Sequence, residues 1–112
     1  MKIKKWKIWL ADHNPQRGTE PGKTRPVVIV QTDLLNDIHP STIICPLSTN
    51  IQKESDILRV HLKRKEGGLN RESDILVDQL RAIDKKRLIK KLGTLPPAKR
   101  EKLKDNIGTV LD

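Results

Sequence analysis

Arg25 stands between Thr24 and Pro26, where the polar, glycine-hinged stretch Glu20-Pro21-Gly22-Lys23-Thr24 runs straight into Val27-Val28-Ile29-Val30. Proline fixes its own φ and pushes the residue before it towards extended geometry. Arg25 is therefore expected in the first residues of a strand, with its side chain aimed rather than loose. A guanidinium presents five donors in a planar fork that matches a phosphate or a carboxylate. With the carboxylate of Glu20 a few residues upstream, an acid and an arginine at the mouth of a loop suggest chemistry on a phosphate.

Other residue types with chemical potential are less informative. Gly22-Lys23-Thr24 imitates the end of a P-loop, but that pattern needs glycine where this chain has Arg17, and a helix where Arg25-Pro26 and a β-branched run follow. Nucleoside triphosphate binding is rejected on that ground. His13, His39 and His61 are far apart and have no cysteine or carboxylate at ligand spacing, so no zinc site is expected. His13 alone sits in the loop, where it could meet a phosphate. Cys45, inside Thr42-Ile43-Ile44-Cys45-Pro46-Leu47, is expected to be a small buried hydrophobe and not a nucleophile. Lys85-Lys86-Arg87 with Lys90-Lys91 reads equally as a nucleic-acid patch or as the solvated side of a helix. Of the two aromatic residues, Trp6 and Trp9, at least one should be core, which leaves the other able to stack a base.

These residues need a scaffold, and 112 residues supply one domain, 1–112, with a core too small to divide. There is no Tyr or Phe, so Val, Ile and Leu must fill it. A formal charge of +9 creates a field that draws in nucleic acid or an acidic protein. One cysteine excludes an internal disulfide framework. The positive start Met1-Lys2-Ile3-Lys4-Lys5-Trp6 is followed by no apolar core, and no segment is suited to span a bilayer, so no membrane association and a cytoplasmic location are expected.

Alternation over Lys5 to Ala11 predicts the first strand, and 12–24 a mobile loop at the substrate. Pro26 to Gln31 and Thr42 to Leu47 predict central strands; Ile57 to Leu62 and Asp74 to Leu80 continue a meander through a turn at Gly67-Gly68. From Asp84, the spacing of Leu88, Ile89 and Leu92 predicts a short basic helix ended by Gly93. A second helix, 95–111, carries Pro96-Pro97 in its first turn and an apolar stripe of Leu103, Ile107, Val110 and Leu111 that must pack on the sheet. The fold class is mainly β with a C-terminal helix (α+β), a strongly bent antiparallel sheet or small barrel.

Ile8-Trp9-Leu10-Ala11-Asp12, Asn14-Pro15, Gly18-Thr19-Glu20, Gly22-Lys23-Thr24-Arg25-Pro26-Val27-Val28, Gln31 with Asp33, Cys45-Pro46-Leu47-Ser48 and Asp78-Gln79-Leu80-Arg81-Ala82-Ile83-Asp84-Lys85 follow one another along nearly the whole chain. In that order and spacing the sequence resembles the MazF/PemK toxins of type II toxin–antitoxin systems. The resemblance implies an SH3-like small barrel of the MazF/PemK/CcdB type with a terminal helix, assembled as a homodimer. It further implies a sequence-selective endoribonuclease that cuts single-stranded RNA without a metal or other cofactor, leaving 2′,3′-cyclic phosphate and 5′-hydroxyl ends, and that is restrained by an acidic cognate antitoxin.

By the same resemblance Arg25 is the catalytic arginine, suited to stabilising a charged phosphate because a guanidinium is a poor base. Ser48 falls where a threonine is usual, keeping the hydroxyl but losing the methyl that restrains its rotamer. Glu20 matches a loop acid and Asp78 a strand acid; either could be the general base, with Glu20 preferred. RNA contacts are expected from His13, Asn14, Arg17, Lys23 and Thr24 on the loop, from Thr49, and from Gln79 and Arg81 in the late motif. Trp6-Lys7 replace a usual Gly-acid pair and Pro21 a customary Gln, changes that bear on recognition more than on chemistry. The same barrel also serves non-catalytic CcdB-like toxins, and a basic RNA-binding module without catalysis is the other alternative.

Overall fold

The computed structural model describes residues 2–12 and 24–112. Seven strands form one antiparallel system: β1 (Lys7–Asp12), β2 (Thr24–Ile29), β3 (Ser41–Ser48), β4 (Arg59–Leu62), β5 (Ser73–Leu76), β6 (Arg81–Asp84) and β7 (Leu88–Thr94), in the order β4-β5-β3-β2-β1-β7, with β6 also on β3. Two helices accompany them, α1 (Asp33–Asn36) and α2 (Pro97–Leu111). β3 is the organising strand. Along one edge it pairs with β2; along the other it pairs with β6 through Ser41 to Ile44 and with β5 through Leu47 and Ser48, so the sheet folds over at this strand.

The uninterrupted β-branched runs have a direct cause: both faces of the central strands are covered. Val28 and Cys45 point into a cluster with Ile8, Leu62, Ile75 and Leu103, while their neighbours Val27, Ile29 and Ile44 point into a second cluster with Ile3, Trp9 and Leu88. A strand buried on both sides loses its polar alternation. Trp9 is thus core, and Trp6, half-buried with a φ of 72°, forms the turn into β1, which starts at Lys7 rather than Lys5.

The basic helix expected from Asp84 does not form. Lys85–Arg87 make one 3₁₀ turn, capped by the Asp84 side chain, which accepts from Lys86 N at 2.9 Å, and Leu88–Thr94 is strand β7. Spacing of 88, 89 and 92 fits a helix locally, but the edge of β1 supplies a ladder from Lys7↔Thr94 to Ala11↔Leu88, interrupted by two register shifts, and that non-local pairing overrides the local pattern. Gly93 is accordingly no helix cap. A Cβ there would lie 2.3 Å from the Gly67 carbonyl oxygen, and Gly68, at φ +78°, would place one 1.9 Å from that of Leu92, so the Gly67-Gly68 turn is pressed directly onto β7.

The expected strand from Asp74 to Leu80 stops at Leu76 in β5 and gives way to a 3₁₀ turn over Val77–Gln79, with β6 starting only at Arg81, because β3 receives β5 and β6 in succession along one edge. β4 begins at Arg59, leaving Ile57 and Leu58 exposed ahead of it. The polar connection after β2 contains α1, where Thr32 caps Leu34 N and the buried Asn36 bonds to Gln31, Asp33 and Thr42. Helix α2 starts at Pro97, as its diproline requires. Its stripe packs only in part: Leu103 is fully buried and Ile107 half-buried, whereas Val110 and Leu111 are exposed.

Candidate active site

Arg25 lies in β2 opposite Ala11 of β1, extended as Pro26 dictates. Its side chain is solvent-facing, since the β2 ladder closes over core only from Val27 onwards. The antiparallel register between β2 and β3 matches Val27 to Pro46; continued by two residues it brings Arg25 beside Ser48, the last residue of β3. Both side chains line one pocket of about 420 Å³, walled by Thr24, Pro26, Leu47, Thr49 and Asn50. Two hydrophobic runs far apart in sequence thus fix a cation and a hydroxyl at one place through strand register alone.

Ser48 Oγ accepts a hydrogen bond from Asn50 N at 3.1 Å. This bond restrains the rotamer that the missing threonine methyl would otherwise restrain, and leaves the hydroxyl proton free to donate. The arrangement suits an anionic tetrahedral or five-coordinate group: a planar fork of positive charge on one side, a neutral donor on the other, in an open cleft of a size that takes a nucleotide. Thr24 and Thr49, two of the expected RNA contacts, are part of this lining.

Asp78, Gln79 and Arg81 lie outside it. Asp78 is not a strand acid: it sits exposed with Gln79 on the Val77–Gln79 turn, and Arg81 opens β6 opposite Ile44. Glu20, His13, Asn14, Arg17 and Lys23, and the 12–24 loop apart from its two ends, fall outside the described residues. Those ends are not loop: Asp12 and Thr24 pair with each other as the last rung between β1 and β2. Cys45 is fully buried, and burial pushes its thiol up to about 12, consistent with an inert core residue. Lys90 and Lys91 are exposed on β7, so the basic segment is a charged strand edge rather than one side of a helix.

A second polar cluster, which sequence spacing does not reveal, borders the pocket. Asp74 of β5 is 1% exposed, and its Oδ2 accepts from Gln52 N at 2.8 Å and from Arg59 Nη1 at 3.3 Å. His61 Nδ1 lies 3.1 Å from Asp74 Oδ1, and its Nε2 2.9 Å from Glu72 Oε2. His61 therefore does have carboxylate partners, contrary to its sequence spacing, because β4 and β5 pair His61 with Asp74. Among the described residues no group of three or more His, Cys, Asp or Glu is arranged to hold a metal ion. The only signal in the sequence is an acid at an inward position of a strand, which is unusual without partners.

Comparison with known proteins places this architecture. Residues 4–111 match the model of the PemK-like, MazF-like toxins of type II toxin–antitoxin systems. Endoribonuclease MazF of Staphylococcus epidermidis is 38% identical over 97 residues, which span 87% of this chain and 81% of that protein. In solved structures the fold is shared with MazF in a MazE–MazF structure from Deinococcus radiodurans (TM-score 0.82, 20% identity, 99% of this chain and 96% of that one). It is shared equally with an endoribonuclease from Mycobacterial species in complex with its cognate antitoxin (TM-score 0.81, 17% identity, 97% and 94%). A bent antiparallel sheet closed by a C-terminal helix is the fold of these MazF toxins, and the chain belongs to the PemK-like, MazF-like toxin family.

Proposed function

We propose that this toxin is an endoribonuclease that cleaves single-stranded RNA at selected sequences, and that the pocket between Arg25 and Ser48 is where the scissile phosphate sits. One observation carries the assignment to this pocket: a fixed cation, Arg25, and a hydroxyl donor, Ser48, line the same open cleft of about 420 Å³. Relatives named for the activity support it.

The reaction is an internal transesterification. The 2′-oxygen of the nucleotide before the cut bonds to its own phosphorus, the bond from phosphorus to the 5′-oxygen breaks, and the products are a 2′,3′-cyclic phosphate and a 5′-hydroxyl. A base must take the 2′-proton, charge on the five-coordinate phosphorane must be stabilised, and the leaving oxygen must gain a proton. Arg25 supplies the charge and, from the same fork, a hydrogen bond to the leaving oxygen, which takes its proton from water. Ser48 donates to a non-bridging oxygen. Glu20 is the preferred base, because its segment runs directly into Thr24 at the pocket rim; Asp78, outside the lining, is the alternative. A resident arginine makes the step independent of a metal cofactor.

The partners follow from charge and surface. A net +9 favours RNA and an acidic antitoxin alike, and a fold relative is seen in complex with its cognate antitoxin. A homodimer is supported by open apolar surface, including a groove of about 350 Å³ lined by Trp6, Val30, Ile43, Leu80, Ile107 and Leu111. No described helix is long and apolar enough to cross a membrane, and a cytoplasmic site of action is proposed with the RNA substrate. The test is incubation of purified protein with single-stranded RNA in EDTA and mapping of the ends. Discrete cuts with 2′,3′-cyclic phosphate and 5′-hydroxyl termini are expected; binding without cutting would return the protein to the non-catalytic CcdB-like or RNA-binding alternatives.

A further inference from the structure

We infer that Asp74 is a positioning residue for Ser48: a buried carboxylate that fastens the segment Ser48–Gln52 so that its hydroxyl faces Arg25. The inference rests on the function proposed above and adds to it a residue that touches no substrate. Asp74 is the cross-strand partner of Ser48 in the β3–β5 ladder, so the two backbones are fixed to one another. Beyond Ser48 the chain leaves the sheet and turns back over β4 and β5. There Asp74 Oδ2 accepts from Gln52 N at 2.8 Å. The same oxygen takes Arg59 Nη1 at 3.3 Å, and that Nη1 also donates to the Asn50 carbonyl at 2.9 Å. Asn50 N in turn donates to Ser48 Oγ at 3.1 Å. The tie thus runs in one line from the buried acid, through arginine and backbone, to the hydroxyl in the pocket.

The line is held at its far end. His61 engages the other side of the carboxylate, 3.1 Å from Asp74 Oδ1, and is itself held by Glu72 at 2.9 Å. Gln52 N and Arg59 Nη1 both donate to Asp74 Oδ2, and at 1% exposure solvent cannot substitute for that oxygen. A loop outside a sheet ordinarily samples several conformations; bonds at Asn50 and Gln52 remove that freedom before substrate arrives. Preorganisation of this kind acts on the chemical step more than on binding.

Asp74→Asn is nearly isosteric but removes the charge that pairs with Arg59 and replaces one of the two carboxylate oxygens with an amide donor, which weakens the tie while filling the same space. The expected result is a kcat about ten- to hundredfold lower with KM within about twofold of wild type. Arg59→Gln, which unties Asn50 without altering the buried acid, should move kcat in the same direction. In a Ser48→Ala background, Asp74→Asn should cost less than about twofold more, because the group being positioned is gone. A folded Asp74→Asn or Arg59→Gln enzyme with wild-type kcat, or full additivity with Ser48→Ala, overturns the inference. Amide hydrogen exchange tests the fastening without any need for catalysis: protection at Asn50 and Gln52 should fall in Asp74→Asn while the β1–β2 ladder keeps its own. If the wild type cuts no RNA, the proposed function falls by itself, and unchanged protection at Asn50 and Gln52 would then refute the fastening separately.

Discussion

Removing the Arg25 side chain should slow turnover by about a hundredfold or more without weakening the fold. Arg25 is exposed, and its cross-strand partner is Ala11. An exposed strand substitution of this kind changes stability by no more than about 0.5 kcal/mol. Its place in the reaction is different: loss of one preorganised donor from a developing oxyanion costs about 2.7–4 kcal/mol of transition-state stabilisation, or roughly 10²–10³ in rate. Arg25→Ala should fall in that range or below it, since a full charge is lost as well. Arg25→Lys should recover part of the rate by restoring the charge, but not the two-point geometry of the fork. The assay is single-turnover cleavage of an end-labelled oligoribonucleotide in EDTA, paired with urea unfolding of each variant. A folded Arg25→Ala protein that cuts within about threefold of wild type would refute the assignment, since so small a loss is below any donor's expected share. A rate loss matched by a large drop in stability would also refute it, by showing that Arg25 acts through the fold.

Gly68→Ala should destabilise the protein by about 2 kcal/mol or more, because it adds left-handed strain at φ +78° to a collision 1.9 Å from the Leu92 carbonyl oxygen; a urea midpoint equal to wild type would contradict the packing of that turn on β7. Cys45 should resist an aromatic disulfide reagent in the native state at neutral pH and react fully in denaturant, since burial raises its thiol to about 12; fast stoichiometric labelling of folded protein would contradict it. An acidic antitoxin peptide should compete with RNA and bind more weakly as salt rises; inhibition at saturating peptide without displacement of RNA would place the two on separate surfaces.

The parts of the site that were legible in the sequence are those set by local chemistry. Pro26 dictates an extended Arg25, a β-branched run dictates a buried strand, and Pro96-Pro97 dictates a helix start; all three hold in the structure. What failed depended on partners distant in sequence. Leu88, Ile89 and Leu92 carry a helical spacing that is as well satisfied by a strand, and only the vacant edge of β1 decides between them. Asp74 reads as one more strand residue in Ser73-Asp74-Ile75-Leu76 until β3 and β4 bring Ser48 and His61 to either side of it. Asp78 shows the converse: a motif assigns it to a strand, but β3 takes β5 and β6 in turn, and the acid falls on the connection between them. The pairing of Arg25 with Ser48 lies between these cases, since the resemblance names both residues and only the β2–β3 register brings them to one pocket.

The most direct test of the central claim is a single 2′-deoxy substitution at the nucleotide before the mapped cut, in an RNA otherwise unchanged and with EDTA present. If the 2′-oxygen is the nucleophile and the Arg25–Ser48 pocket stabilises its attack, cleavage at that bond disappears while the substituted RNA still binds and still competes with the natural substrate. Continued cutting at the same bond would contradict the account, because it would require a nucleophile other than the one this pocket is built to serve.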